Sequence, residues 1–482
     1  MYCITLLFII IMSDFIFQID SYPLERLNET HDESNSFFYL YNVLTNFDSK
    51  YYSFIDNNQI RSISKRSILV NRVTNWTTLI NYHIEAGLNE NKIRLVLNHI
   101  SRHTCLRFQR DDKVDNNKEQ LRYIKNKDQC YSTLGRNEYA KHTYVRLTTR
   151  CANSFGVIEH ETCHGLGLFH EQMRFDRDNY VTFVEENVPQ MYKWDVMWKE
   201  NWELDSFNIT YDYGSLMHYG HRLYGKTGNV IINVKNIEPY NKMLGQDVML
   251  TFNDFKLINY YYCITNSLCL QCICPKEFEG DKCEKIKSRS SHNCPTQERI
   301  AVANKEYFIS DIGTKRCMFY IKSKNEGRVH IRLTTVRTRP RELCIPNVGL
   351  EVKYLKDKGV TGLCLCGYYK NIKIISEGND IVITYTGIDE RNYFEMYYQE
   401  IGKDDYRPSI ICYNNICYNV TPKFEPMKNQ IKTDNLDKDK GSPIQITSNP
   451  KDNSSKNLVK DSPEKYDYYY KEKPYENISL DD

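Results

Sequence analysis

The eleven residues from His160 to His170, read His-Glu-Thr-Cys-His-Gly-Leu-Gly-Leu-Phe-His, constrain this chain more than any other segment. On an α-helix two histidines four apart are offset by about 40° in azimuth and about 6 Å in rise, so His160 and His164 reach one metal from one face. Gly167 can take the left-handed conformation that closes a helix, and the turn it makes brings His170 round as a third ligand. Three protein ligands leave a zinc position for water. Glu161 is not needed to hold the ion, and it is placed to take the proton of that water and deliver it to a leaving amine. Zinc lowers the pKa of bound water toward about 7 and polarises a scissile carbonyl. The expected chemistry is peptide-bond hydrolysis by a zinc-activated water, with Glu161 as general base and acid. Cys163, between the ligands, has no partner in the cysteine count and reads as a buried inert thiol, with a thiol that interferes with the metal or pairs elsewhere as the alternative.

The rest of the chain supplies the setting. A length of 482 residues exceeds one ordinary core and implies about three domains. Sixty-four basic against sixty-two acidic side chains leave a formal charge of +2, which excludes a simple polyanion binder and gives no reason to expect a nucleic-acid partner. Seventeen cysteines belong to an oxidising compartment, so a secreted, extracellular protein is expected. The apolar run Tyr2 to Met12 has the length of a secretory h-region and Ser21 can end the cleavage site, giving a signal peptide over 1–21. That run is too short to span a bilayer, which takes about 20 apolar residues, and no later stretch qualifies. Sequons at Asn28, Asn75, Asn208, Asn419, Asn453 and Asn477 fit glycosylation. Residues 22–66 are polar, lack cysteine and end in Arg61, Lys65 and Arg66, a processing site for a convertase-type protease. Its cleavage makes 22–66 a removable pro-segment and Ser67 the mature N-terminus.

Periodicity gives mixed α and β text after Trp76. Leu79, Asn81 and His83 alternate with Ile80, Tyr82 and Ile84 as in a strand, and Ile93, Val96, Leu97 and Ile100 take helical spacing. Thr143 to Thr148 reads as a strand and Val157 to Leu166 as a helix. Another helix starts at Thr251, a cap, with Asp254 in its first turn and Phe255, Ile258 and Tyr262 inward. Residues 264–284 pack four cysteines into a small stapled module, and 294–400 read as a β-sandwich, with β-branched runs at Arg328 to Thr334 and Ile381 to Thr386. Residues 401–482 are assigned to a polar tail. From Thr421 onward it is rich in Lys, Asn, Asp, Ser and Pro, with a tyrosine cluster at Tyr466 to Tyr470, and is expected to be disordered.

A second motif runs from Tyr211 through Asp212, Tyr213, Gly214, Ser215, Leu216, Met217 and His218 to Tyr219. The segment His160 to His170 is similar to the long metzincin zinc motif, and Met217 to the methionine of the turn beneath the metal. Glu171, directly after the third histidine, together with Ser215 to Tyr219 resembles the astacin family in particular. The resemblance implies an α+β fold over 67–263: a two-lobed metzincin protease domain with a twisted mixed sheet and an active-site helix. It implies one Zn2+ held by His160, His164 and His170, with Tyr219 as a further ligand that swings away to stabilise an oxyanion. Met217 would floor the site. Glu171 would receive the buried ammonium of Ser67, since a buried carboxylate and ammonium are tolerable only as a pair, and Trp76 matches a family tryptophan near that start. Bridges Cys105–Cys263 and Cys130–Cys151 are implied, and the strand around Tyr144 to Thr148 would form the cleft edge that pairs with an extended substrate. In the pro-segment, Phe54, Ile55 and Asp56 partly resemble the inhibitory motif of latent astacins, which makes Asp56 a candidate zinc ligand.

The downstream modules resemble others of known type. Residues 264–284 resemble an EGF-like module with a Cys274–Cys283 bridge. Residues 294–400 resemble a CUB domain with bridges Cys294–Cys317 and Cys344–Cys366, which leaves Cys364 over. The pairing of Cys269, Cys272, Cys412 and Cys417 stays open, and Asn347 stands where a calcium-binding aspartate would be sought. This order of modules resembles secreted nematode astacins, with protein or peptide substrates such as extracellular matrix or cuticle proteins. The alternative is a catalytically inactive extracellular binding protein that uses its CUB-like domain, a reading that Cys163 keeps open.

Overall fold

The computed structural model describes residues 68–69, 75–136, 141–196, 204–264, 273–287, 294, 297–420 and 467–470. The signal peptide, the pro-segment with Asp56, the proposed start Ser67, and Cys269 and Cys272 lie outside the described residues.

Strand β1 (Ile68–Leu69) pairs with Leu204–Asp205. A mixed sheet follows, made of β2 (Leu79–Ile84), β3 (Arg107–Arg110), β4 (Gln120–Lys125), β5 (Cys130–Thr133) and β6 (His142–Leu147), in the order β5, β6, β4, β2, β3. All pairs are parallel except β5 with β6. Side chains of β2 alternate as its sequence requires, with Ile80, Tyr82 and Ile84 buried. Helix α1 (Glu90–His103) is capped by the Asn89 side chain, which accepts the N–H of Lys92, and it buries Ile93, Val96, Leu97 and Ile100. Helix α2 (Phe155–Gly165) is capped by Ser154 and packs on α1, β5 and β6.

The placement of β6 corrects the expectation for the cleft edge. The strand around Tyr144 lies inside the sheet, between β4 and β5. The chain before it folds back as an antiparallel hairpin, and that puts β5 on the far side of β6 from β4. Strand Asp467–Tyr470 pairs antiparallel with β5, so residues 467–470 of the tyrosine cluster expected to be disordered form a strand in their backbone.

Two apolar cores organise the described residues. The first gathers Ile80, Ile93, Tyr123, Val145, Ile158 and Leu166 with Phe255 and Ile258 of the closing helix Phe252–Ile258 and Tyr262 of its continuation Asn259–Ile264. That helix begins at a reciprocal cap between Thr251 and Asp254, and the Cys105–Cys263 disulfide ties its continuation back to the end of α1. Cys130 is bridged to Cys151. The second core contains Val181, Tyr211, Tyr213, Tyr219, Ile232, Tyr240 and Met243 from the segment after His170, together with Phe319, Ile331, Leu350 and Tyr385 of the C-terminal β region.

That β region consists of a five-stranded and a six-stranded sheet, almost entirely antiparallel. Disulfides join Cys294 to Cys317 and Cys344 to Cys366, and Cys274–Cys283 staples a preceding hairpin of Phe278–Glu279 with Lys285–Ile286. Ordered structure continues past residue 400, which corrects the assignment of 401–420 to the tail. Strands Ile410–Tyr413 and Ile416–Asn419 form a hairpin bridged by Cys412–Cys417. Its two turn residues, Asn414 and Asn415, have φ of 51° and 65°, the conformation a two-residue hairpin demands and asparagine tolerates. Cys163 and Cys364 are free thiols and buried.

Candidate active site

Helix α2 carries the first two histidines and Glu161, and every residue from Gly156 to Gly165 is buried. It can lie this deep because its ends are satisfied. The Ser154 side chain accepts the N–H of Val157 at the start. At the end, Gly167 (φ 93°) and Leu168 return their N–H groups to the carbonyls of His164 and Cys163, and Trp76 Nε1 and the Tyr262 hydroxyl donate to Gly165 and Leu166. A Cβ on Gly156 would lie 1.8 Å from the Asp247 carbonyl oxygen, so glycine there permits the close approach of that loop.

Beyond Gly167 the chain turns and delivers His170 to the other two. One ligand atom from each of His160, His164 and His170 lies within 4.8 Å of the others, and this is the cluster of potential metal ligands found among the described residues. Nε2 of His170 is 3.2 Å from Nε2 of His160 and 3.0 Å from Nε2 of His164. The opposite nitrogens fix the tautomers: Nδ1–H of His160 donates to the Leu216 carbonyl (2.9 Å) and Nδ1–H of His164 to the Leu168 carbonyl (2.7 Å). Burial holds His160 down to about 4 and His164 and His170 well below the ordinary imidazole range, so the cluster is neutral at pH 7. Neutral rings of His160 and His164 with Nδ1 protonated turn their Nε2 lone pairs toward Nε2 of His170, an arrangement a cation would satisfy. The donor set therefore fits zinc.

Glu161 is 1% exposed, and its Oε2 accepts no hydrogen bond among the described residues. Burial pushes its carboxyl well above the usual carboxylate range, a shift that a divalent cation alongside would oppose.

The second motif wraps around this cluster. The N–H of Glu171 donates to the Met217 carbonyl (2.8 Å), and the N–H of Tyr219 donates to Oε1 of Gln172 (3.0 Å). These bonds hold the Tyr219 ring with its centroid 4.2 Å from that of His170. Met217 is buried in the first core and Tyr219 in the second, so the short segment between them crosses from one core to the other. Glu171 is buried against Arg174, whose Nη1 donates to Oε1 at 3.1 Å, and the N–H of Asp212 donates to the same oxygen at 2.9 Å. Burial still raises the Glu171 carboxyl to about 8.

Sequence reasoning placed Asp254 only as a helix-start residue and missed its second task. One carboxylate oxygen accepts the Ser215 hydroxyl at 2.6 Å and the other accepts the N–H of Leu216 at 3.1 Å, so the cap of the closing helix also orients the carbonyl-bearing turn above His160. The Thr251-x-x-Asp254 pattern signalled the cap, but nothing local signalled the long-range partner. Gln172 was missed as well. Cys163 is fully buried, with its thiol pKa pushed far up, and is therefore protonated.

Three imidazoles converge on one helix-turn unit, with a glutamate one residue after the first, a donor arrangement that fits a single zinc ion. Known proteins narrow the class. Residues 69–263 match the family model "Astacin (Peptidase family M12A)". It is similar to zinc metalloproteinase nas-34 of Caenorhabditis elegans, 29% identical over 344 residues that cover 67% of this chain and 56% of that protein. It is also similar to zinc metalloproteinase dpy-31 of Brugia malayi, 35% identical over 218 residues that cover 42% of this chain and 36% of that protein. A solved hatching enzyme zinc-protease, high choriolytic enzyme 1 of Oryzias latipes, is 28% identical with a TM-score of 0.34, covering 38% of this chain and 88% of its own. The chain thus spans less than two thirds of the length of these two metalloproteinase relatives. Zinc is the catalytic ion of the astacin family, and no helix among the described residues is long and apolar enough to cross a membrane.

Proposed function

We propose that the protein is a secreted, pro-segment-controlled zinc endopeptidase that cleaves peptide bonds in extracellular proteins, with matrix or cuticle proteins as the substrate class. The observation that carries this reading is the convergence of one ligand atom from each of His160, His164 and His170, on a helix that also carries the buried Glu161, whose Oε2 accepts no hydrogen bond among the described residues. His160, His164 and His170 would hold the ion, with Tyr219 as a further ligand. When bound, zinc supplies a Lewis acid that acidifies water and polarises the scissile carbonyl. Glu161 takes the proton of the attacking water on a carboxylate oxygen and returns it to the leaving nitrogen. The Tyr219 hydroxyl donates a hydrogen bond to the oxygen on which negative charge develops. The carbonyls of Leu216 and Leu168 keep two ligand rings in the tautomer that leaves Nε2 open, and Met217 closes the site from below.

Regulation follows the same residues. A convertase-type protease cuts after Arg66, and the ammonium of Ser67 then joins the buried Glu171 and Arg174 pair. Asp56 is the pro-segment group that occupies the site beforehand. The hairpin stapled by Cys274–Cys283 is EGF-like and the double sheet is CUB-like, in keeping with export.

The test is peptide cleavage by protein trimmed to Ser67. Cleavage should stop with a zinc chelator and return with added zinc. Glu161→Ala should lower kcat/KM by about a thousandfold while zinc content stays at one per chain. Full zinc occupancy without cleavage of any polypeptide would instead support the inactive binding protein.

A further inference from the structure

The C-terminal β region reaches the active-site machinery through one buried side chain. Thr361 lies in the loop between strands Gly349–Lys353 and Leu363–Leu365 and is 6% exposed. Its hydroxyl donates to Oδ2 of Asp212 at 3.0 Å, and its backbone N–H points to the same oxygen at 3.4 Å. Asp212 is 1% exposed and sits at the head of the Tyr211 to Tyr219 motif. Its Oδ1 accepts the N–H of Gly214 at 2.9 Å, while its own N–H donates to Oε1 of Glu171. The Gln246 side chain donates to the Gly214 carbonyl at 3.1 Å, which fixes the far side of the same turn.

A buried carboxylate is costly unless its oxygens are hydrogen-bonded. Among the described residues hydrogen bonds meet that need, and those from Gly214 and Thr361 act against the burial that lifts Asp212 to about 6. Steric fit points the same way. A Cβ on Gly214 would stand 2.7 Å from Cγ2 and 2.8 Å from Cβ of Thr361, so the turn is built flush against that residue. A contact spanning 149 residues of sequence thereby ends on two atoms that matter: the N–H beside Glu171, which follows His170, and the N–H that opens the turn to Met217 and Tyr219.

We infer that Thr361 is a positioning residue for the peptidase, contributed by the C-terminal β region and acting through Asp212 on Glu171 and on the turn that presents Tyr219. The β region is then part of the catalytic apparatus as well as a separate module. The kinetic consequence rests on the endopeptidase reading above, whereas the ordering of the turn does not. Thr361 touches neither metal nor substrate, so its effect falls on the geometry in which Tyr219 meets developing charge, and therefore on kcat.

The experiment uses the full chain trimmed to Ser67, with Thr361→Val, which keeps the shape and removes the hydroxyl, and Thr361→Ser, which keeps the hydroxyl. Thr361→Val should lower kcat roughly tenfold with KM within about twofold and zinc retained, and Thr361→Ser should stay close to the parent. Hydrogen exchange should quicken at the amides of Asp212, Gly214 and Tyr219 in Thr361→Val, while amides of β4 and of strand Arg328–Arg337 keep their parent rates. If Thr361→Val does not fold, Thr361→Ala carries the same expectations. Unchanged exchange at the turn would overturn the proposal, and so would a Thr361→Ser variant as impaired as Thr361→Val, because the methyl contact rather than the hydroxyl would then matter. If the parent itself cuts no polypeptide, the endopeptidase reading falls, and the exchange comparison still decides whether Thr361 orders the turn.

Discussion

The two cores are closed in different ways. The first is complete within residues 68–263, where sheet, helices α1 and α2 and the closing helix bury one another and a covalent bond from Cys105 to Cys263 locks the last element to the end of α1. Among the described residues between His170 and Leu244 the second has little regular structure of its own, beyond short turns, the four-residue helix Lys193–Val196, the strand Leu204–Asp205 and the strand pair Val181–Phe183 with Ile232–Val234. Its aromatic residues finish their burial against a β region that begins after residue 294. The three clustered histidines hang from the first core and Tyr219 from the second. Stability of the ligand helix and placement of Tyr219 are therefore separable, and substitutions on the two sides should show it.

The largest effect is expected on the covalent side. Replacing Cys105 and Cys263 together by serine opens a loop of sequence separation 158, and unfolding in denaturant should show a loss of about 3–5 kcal/mol. Cys263 is buried beside Tyr262, whose hydroxyl caps the carbonyl of Leu166, so exchange protection at the end of α2 should fall with it. An unchanged midpoint would mean that apolar packing alone closes the first core.

A smaller effect is expected where the second core meets the β region. Tyr240 and Tyr354 share a buried hydrogen bond at 2.7 Å between their hydroxyls. Removing one hydroxyl leaves the other without that partner, so Tyr354→Phe should cost about 1–2 kcal/mol. Tyr240→Phe with Tyr354→Phe should cost less than the sum of the two single changes. A thermodynamic cycle over the four proteins measures the coupling, and strict additivity would show that the two rings merely lie near each other.

How far the chain could be read in advance follows the same division. The zinc segment was legible because its information is local: helical spacing, a glycine stop and a carboxylate in fixed register occupy eleven residues. The closing helix was legible from Thr251 and Asp254, and α1 from its apolar stripe. The position of β6 was not, because Tyr144 and its neighbours look the same in an edge strand and in a central one, and only the hairpin to β5 decides. The hairpin at 410–419 carried a readable signal in Asn414 and Asn415 between two cysteines, but the polar composition around it masked the strands. Contacts between distant segments, such as Asp212 with Thr361, leave no periodic trace. Gly214 is the one local hint, and glycine in a motif has many causes.

The smallest effect belongs to the seam's outer margin. Lys256 of the closing helix pairs with Asp357 of the β region at 3.2 Å, with the two side chains 28% and 27% exposed. Partly exposed charges are screened by water and salt, and both side chains lose rotamer freedom to meet, so the pair is worth about 0–1 kcal/mol. Lys256→Met should therefore shift the unfolding midpoint by little at low salt and by nothing measurable at high salt, where the parent has already lost the attraction. Gly359 sharpens the expectation. A Cβ there would meet the Asn253 side-chain oxygen and the Phe252 ring at 2.7 Å, so the two segments touch through close packing as well as charge. If Lys256→Met instead costs several kcal/mol and the loss persists in salt, the pair is acting as a desolvated bond, and the margin belongs with the buried Asp212 contact rather than with the solvent-facing surface.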